Sequence, residues 1–205
     1  GVAETETALP TVKSTQQWPE GYHYSKQEFG DPAKCLAAFL RCSGYTNVEI
    51  AYCVSTACSS SGKVFGSARR LLAANLCDLV VVGGVDSLCQ LTVNGFAALD
   101  SVSQSICQPF GLHRDGINIG EGAALFLMSQ TSNPATDAVC FLGIGESSDA
   151  HHISAPHPKG KGAIVAMQRA LVDAGMTAAD VAYINLHGTA TKQNDAMESK
   201  AVNAV

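Results

Sequence analysis

The sequence predicts an α/β protein in which helices cover a mostly buried sheet. Three observations lead there. Strand-like and helix-like runs alternate along the chain. Two of the strand-like runs, residues 79–82 and 123–128, are apolar throughout, as in strands covered on both faces. The 205 residues are 46% hydrophobic and only 15% charged, a balance that suits one substantial core or two small ones.

Each element follows from local pattern. Residues 5–19 read as loop, punctuated by Pro10 and Pro19. Residues 31–40 have helical spacing, with Ala33, Leu36, Ala37 and Leu40 on one face and Gly44 as the stop. Residues 48–54 are β-rich. Residues 63–75 place Val64, Phe65, Ala68, Leu71 and Leu72 on one helical face. The strand at 79–82 is ended by Gly83-Gly84. A short helix over 94–102 leads into a loop, in which Arg114-Asp115-Gly116 forms a local ion pair and turn and Asn118 opens a tight turn. After the strand at 123–128 and a polar connector at 129–137 comes a further strand at 139–145. A helix over 163–174 has Gly175 as its C-cap candidate. A strand at 182–186 ends at His187, and Asp195 caps the last helix with Glu198 as its capping-box partner.

Charge and composition remove several function classes. The formal charge is −5, and no Lys/Arg run or basic stripe is present, which argues against a nucleic-acid partner. No apolar run is long enough to span a bilayer. The start, Gly1-Val2-Ala3-Glu4, does not read as a signal peptide. Eight cysteines without paired spacing suit a reducing compartment, so the expectation is cytoplasmic. His151, His152 and His157 match no zinc spacing, and the cysteines form no C-x-x-C pair, so no metal is expected. Ser61-Gly62-Lys63-Val64 lacks the first Gly and the Ser/Thr after Lys of a phosphate loop, and Gly83-Gly84 and Gly120-Glu121-Gly122 lack the dinucleotide pattern. Both ends read as cut, as in an internal or partial stretch of a longer chain.

Two residues carry candidate chemistry. Cys58 lies in Val54-Ser55-Thr56-Ala57-Cys58-Ser59-Ser60-Ser61-Gly62, between a strand-like and a helix-like run. The free N–H groups and positive dipole end of a helix start stabilise a thiolate, and small neighbours leave it accessible. Cysteine also often only fills core space, and Cys53, inside the apolar run, reads that way. Local sequence leaves both options open for Cys58. His187 is delivered by a strand end into His187-Gly188-Thr189-Ala190-Thr191, where an imidazole can face a substrate carbonyl and the threonines can bind a polar ligand arm. The alternative is a histidine that caps the strand against the same hydroxyls. Cys with His is a recurrent nucleophile arrangement.

An ordered set of motifs then carries a resemblance. Ser55-Thr56-Ala57-Cys58-Ser59-Ser60, Gly83-Gly84-Val85-Asp86, Pro109-Phe110 with Arg114-Asp115-Gly116, Gly120-Glu121-Gly122-Ala123, Ser148-Asp149-Ala150-His151-His152, His187-Gly188-Thr189-Ala190-Thr191 and Asn194-Asp195-Ala196 with Glu198 occur in that order. The chain resembles the β-ketoacyl-acyl-carrier-protein synthases, the elongating condensing enzymes of fatty acid and polyketide synthesis. The resemblance runs from about Tyr22 onward.

It implies a thiolase-like layered α-β-α fold, incomplete in this chain. Residues 1–130 would be the rest of the N-terminal half with the nucleophile, and residues 138–205 the start of the C-terminal half with the first active-site histidine. Cys58 would take the acyl chain from carrier-bound phosphopantetheine. His187 would assist decarboxylation of the malonyl unit and stabilise the enolate. Thr189, Thr191 and Ser154 would bind the pantetheine arm. The family's second histidine, its lysine and its Gly/Phe gating loop have no counterpart in this stretch. The resemblance implies an acyl carrier protein and malonyl and acyl thioesters as partners, no separate cofactor, and a homodimer that pairs across residues 48–54. A carrier of acidic character would need a basic patch, for which Lys63, Arg69 and Arg70 are candidates. The alternatives are a non-catalytic ketosynthase partner subunit, a thiolase-like acyltransferase acting on coenzyme A thioesters, and a folded half-domain with only a structural role.

Overall fold

The computed structural model describes residues 2–131 and 134–205. The polar connector expected at 129–137 includes residues 132 and 133, which lie outside the described residues. The chain divides into two units, one of residues 1–92 with 121–129 and the other of residues 93–120 with 130–205.

The first unit opens with a helix, α1 (Val2–Thr15), where sequence pattern predicts loop. Pro10 removes one N–H from its interior, yet tertiary anchoring outweighs that loss. Ala8 is buried, and the Glu6 carboxylate accepts the N–H groups of Gln90 and Leu91 at 2.7 and 2.8 Å. Those are the first two residues of α4 (Gln90–Ala97), so α1 supplies the cap that α4 lacks in its own sequence. α2 (Asp31–Cys42) matches its predicted span, with Pro32 in the first turn and Ala37 buried.

Residues 48–54 do not form the predicted strand: they have no ladder partner among the described residues. Ile50 and Tyr52 are exposed, and so is Cys53, which corrects its assignment to core packing. A β-rich pattern reports a preference for extended backbone; a ladder needs a neighbouring strand as well.

α3 (Ser60–Ala73) packs on the sheet, which among the described residues is one antiparallel pair, β1 (Leu79–Asp86) with β2 (Gly122–Ser129). The register runs from Leu79 opposite Ser129 to Asp86 opposite Gly122. Gly83-Gly84 therefore does not end β1. A Cβ at Gly84 would sit 2.6 Å from Ser61 Oγ, and one at Gly83 would fall on the Ala124 carbonyl oxygen, so glycine here permits close approach. The face that carries Val82, Gly84 and Phe126 meets α3: Val82, Ala68 and Leu72 are buried, and the Phe65 and Phe126 rings lie 5.5 Å apart. The opposite face, with Leu79, Val81, Val85, Leu125 and Leu127, is exposed. The two apolar runs are thus strands, but the expectation of a mostly buried sheet is not met in this unit: among the described residues α3 covers one face, and the other is exposed.

In the second unit α5 (Lys161–Ala174) ends as predicted. Gly175 adopts φ 65°, and Met176 N–H returns to the Leu171 carbonyl at 3.0 Å. The predicted strands at 139–145 and 182–186 have no ladder among the described residues. The first is held against α5 instead. Asp173 accepts Ile144 N–H at 2.8 Å, Arg169 donates to the Glu146 carbonyl at 2.6 Å, and Gly143 and Gly145 let the helix backbone come into contact. A Cβ on Gly145 would fall on the Ala166 carbonyl oxygen and lie 2.5 Å from Ala170 N. Gly145→Ala should therefore cost about 1–3 kcal/mol, or more if the helix cannot shift. A urea midpoint unchanged from the parent protein would refute this close packing. In the loop after α4, Asn118 does more than turn the chain: it accepts Cys107 N–H and donates to the Ser105 carbonyl, both at 2.8 Å.

Candidate active site

The Cys58 turn is built from hydroxyl groups. Ser59 is the N-cap residue of α3, so Cys58 stands directly ahead of the helix. Ser60 Oγ accepts Thr56 N–H at 2.8 Å and donates to the Ala57 carbonyl at 2.6 Å. Ser59 Oγ donates to the Thr56 carbonyl at 2.9 Å. Ala57 is held at φ 53°, a left-handed conformation uncommon for a residue with a Cβ. Strain of this kind persists where the surroundings over-determine it, as three hydroxyl bonds within five residues do here. The turn presents Cys58 to solvent. Of the candidate basic residues on α3, Arg70 is exposed while Lys63 and Arg69 are half-buried.

The His187 loop in the second unit is pinned from α6 (Lys192–Val202). Glu198 receives the backbone N–H groups of His187 and Gly188 on its two oxygens at 2.7 and 2.8 Å. Asn194 Nδ2 braces the same carboxylate at 3.0 Å. Gly188 and Ala190 both take positive φ, 53° and 57°, and Ala190 is fully buried. This leaves the His187 side chain exposed on a fixed backbone. Thr189 and Thr191 are brought together, their hydroxyls 2.8 Å apart. Ser154 makes its bonds elsewhere, its N–H to His152 Nδ1 at 3.2 Å and its Oγ 3.4 Å from the same nitrogen.

Asp195 is not the cap of α6, and Glu198 is not its capping-box partner. The cap residue is Thr191, and Asp195 lies inside the helix at 1% exposure. Its carboxylate accepts Phe110 N–H at 2.7 Å and faces Arg114 Nε at 3.6 Å. Arg114 in turn donates to the carbonyls of Gly111 and Lys192 at 3.0 and 3.3 Å. Arg114 thus pairs with Asp195, where the sequence suggested Asp115. A Cβ at Gly188 would lie 3.4 Å from Pro109 and 3.6 Å from the Phe110 ring, so the loop held by Asp195 packs against the loop held by Glu198. These two carboxylates were missed as site-builders. Their spacing of three residues, which puts both on one helix face, was the available signal.

Residues 36–134 match the family model of the β-ketoacyl synthase N-terminal domain, and residues 139–205 match that of the C-terminal domain. The chain belongs to the β-ketoacyl synthase family. It is 40% identical over 161 residues to the 3-oxoacyl-[acyl-carrier-protein] synthase 2 of Rhizobium meliloti strain 1021, a match covering 73% of this chain and 38% of the relative. A solved ketosynthase in complex with its chain length factor, from Xenorhabdus doucetiae, superposes with a TM-score of 0.88 at 44% identity, covering 100% of this chain and 50% of that one. A β-ketoacyl synthase from Burkholderia phymatum STM815 gives 0.80 at 27% identity, covering 100% and 51%. The fold is therefore the thiolase-like α/β fold of ketosynthases, of which this β-ketoacyl synthase chain spans about half. Among the described residues no helix is long and apolar enough to cross a membrane, and no group of three or more His, Cys, Asp or Glu could hold a metal ion.

Proposed function

We propose that this chain forms part of a condensing enzyme in which Cys58 is the acyl acceptor. The observation that carries the proposal is the turn itself: an exposed thiol directly ahead of a helix start, on a backbone held by Thr56, Ser59 and Ser60. In the first step the Cys58 thiolate attacks the carbonyl of an acyl thioester on carrier-protein phosphopantetheine. A carbon–sulfur bond to Cys58 forms, the bond to pantetheine breaks, and the pantetheine thiolate leaves. In the second step a malonyl thioester loses carbon dioxide, and its enolate carbon attacks the Cys58-bound carbonyl: the new carbon–carbon bond forms, the carbon–sulfur bond to Cys58 breaks, and the Cys58 thiolate leaves. His187 serves this step as a hydrogen-bond donor to the developing enolate oxygen. Thr189, Thr191 and Ser154 bind the pantetheine arm. In this reading residues 1–130 carry the nucleophile half and residues 138–205 begin the histidine half. The protein works in the cytoplasm as a homodimer with an acyl carrier protein and needs no separate cofactor.

The chain length factor in the solved Xenorhabdus complex gives weight to a second reading, a non-catalytic partner subunit. Acyl loading separates the two. The full-length protein, incubated with an acyl-carrier thioester, should gain the acyl mass, and peptide fragmentation should place it on Cys58. Iodoacetamide should alkylate Cys58 ahead of Cys53 and block loading. Both thiols are exposed, so a faster reaction at Cys58 reports thiolate character rather than access. Absence of an acyl adduct, or equal alkylation of the two, overturns the catalytic reading.

A further inference from the structure

Ala57 carries the strain of the Cys58 turn, at φ 53°. A residue with a Cβ leaves that conformation unless its surroundings hold it there. Packing does not hold it, because residues 55–59 are all exposed. Ser60 is half-buried as the first residue of α3, so it offers a fixed point. Its Oγ donates to the Ala57 carbonyl at 2.6 Å, and its backbone N–H donates to the same oxygen at 3.0 Å. The same Oγ accepts Thr56 N–H at 2.8 Å, so one hydroxyl grips the chain on both sides of the strained residue. The Ser59 hydroxyl instead bonds Thr56 alone, at 2.9 Å to its carbonyl and 3.0 Å to its hydroxyl.

We propose that Ser60 is a positioning residue for Cys58: its hydroxyl keeps Ala57 left-handed and so fixes the peptide that joins Ala57 to Cys58. The oxygen of that peptide is bound to Ser60 twice over. In a trans peptide the N–H points opposite to the carbonyl, so the same grip aims the Cys58 N–H away from Ser60. The orientation of this peptide also sets where the Cys58 Cα, and with it the sulfur, stands ahead of α3. The inference rests on the reading of Cys58 as acyl acceptor. A nucleophile that must meet a thioester carbonyl in one geometry loses rate when its backbone wanders. Ser60 acts through that backbone, so its loss should slow the loading step and leave carrier binding as it was.

The test uses the full-length protein with acetyl and octanoyl thioesters of acyl carrier protein, and follows the rate of acyl loading on Cys58. Ser60→Ala should lower the rate at saturating thioester about tenfold, the effect of losing a hydrogen bond or two, with KM unchanged. Ser60→Thr should restore most of it, because a threonine hydroxyl can reach a carbonyl three residues back in a helix. The deciding variant is Ala57→Gly. Glycine takes the left-handed conformation without steric cost, so Ala57→Gly should recover most of the rate in the Ser60→Ala background. Its effect on the parent should be far smaller. Hydrogen exchange at the amide of residue 60, which donates to the Ala57 carbonyl, gives a readout without catalysis. Its protection should fall about tenfold in Ser60→Ala and return in the double variant. Parent-like loading in Ser60→Ala, or a loss that Ala57→Gly does not relieve, overturns the proposal. A parent protein that never loads Cys58 would sink the catalytic reading instead, and the amide of residue 60 would still decide whether Ser60 holds the turn.

Discussion

Cys58→Ala in the full-length protein should abolish condensation, on the order of 10⁴-fold or more, while leaving the fold intact. The loss is large because no neighbouring residue can replace the thiolate: Ser59 and Ser60, the adjacent hydroxyls, are engaged in holding the turn. The fold should survive because the side chain is exposed and its removal opens no cavity, leaving stability within about 0.5 kcal/mol of the parent. Condensation is measured as carbon dioxide release coupled to chain extension, and stability by urea unfolding. Full activity in the variant would move the assignment to a partner subunit that supports a catalytic chain without using its own cysteine. A large loss of stability would mean that Cys58 fills space, the option that local sequence alone leaves open.

Helices were legible in the sequence where amphipathic spacing and end signals coincide. α2, α3 and α5 fall close to their predicted spans, and Gly175 closes α5 as expected. α1 was not legible, because Glu6 anchors it to α4, residues far away in sequence. The strands split for a physical reason. β1 and β2 find each other and form a ladder, whereas 48–54, 139–145 and 182–186 have the composition of strands without a partner among the described residues. Cys58 was legible as the residue ahead of α3, whereas the strand expected to deliver His187 has no ladder among the described residues. What holds the two residues was not legible. Asn194-Asp195-Ala196-Met197-Glu198 has the local form of a helix cap, and only the fold shows that both carboxylates reach back to loops 109–111 and 187–188.

That rearward reach makes Asp195 the residue whose loss should be felt most in stability. Asp195→Ala leaves the Phe110 N–H without its acceptor and the largely buried Arg114 guanidinium without its counter-charge. Removing one partner of such a pair costs about 3–5 kcal/mol, because the stranded charge remains away from water. Asp195→Asn should cost less, since the amide oxygen still accepts from Phe110. Arg114→Ala should cost less in the Asp195→Ala background than in the parent, because the charge it removes is no longer paired. Denaturant unfolding of the four proteins closes the cycle, and additive losses would show that the two side chains do not interact. Phe110 lies against the backbone of Gly188, next to His187, so a slack 109–111 loop should also loosen the histidine's footing. Activity in Asp195→Ala should then fall below the parent even at temperatures where the variant is fully folded. Parent-like activity there would confine Asp195 to stability and leave Glu198 alone as the support of the histidine loop.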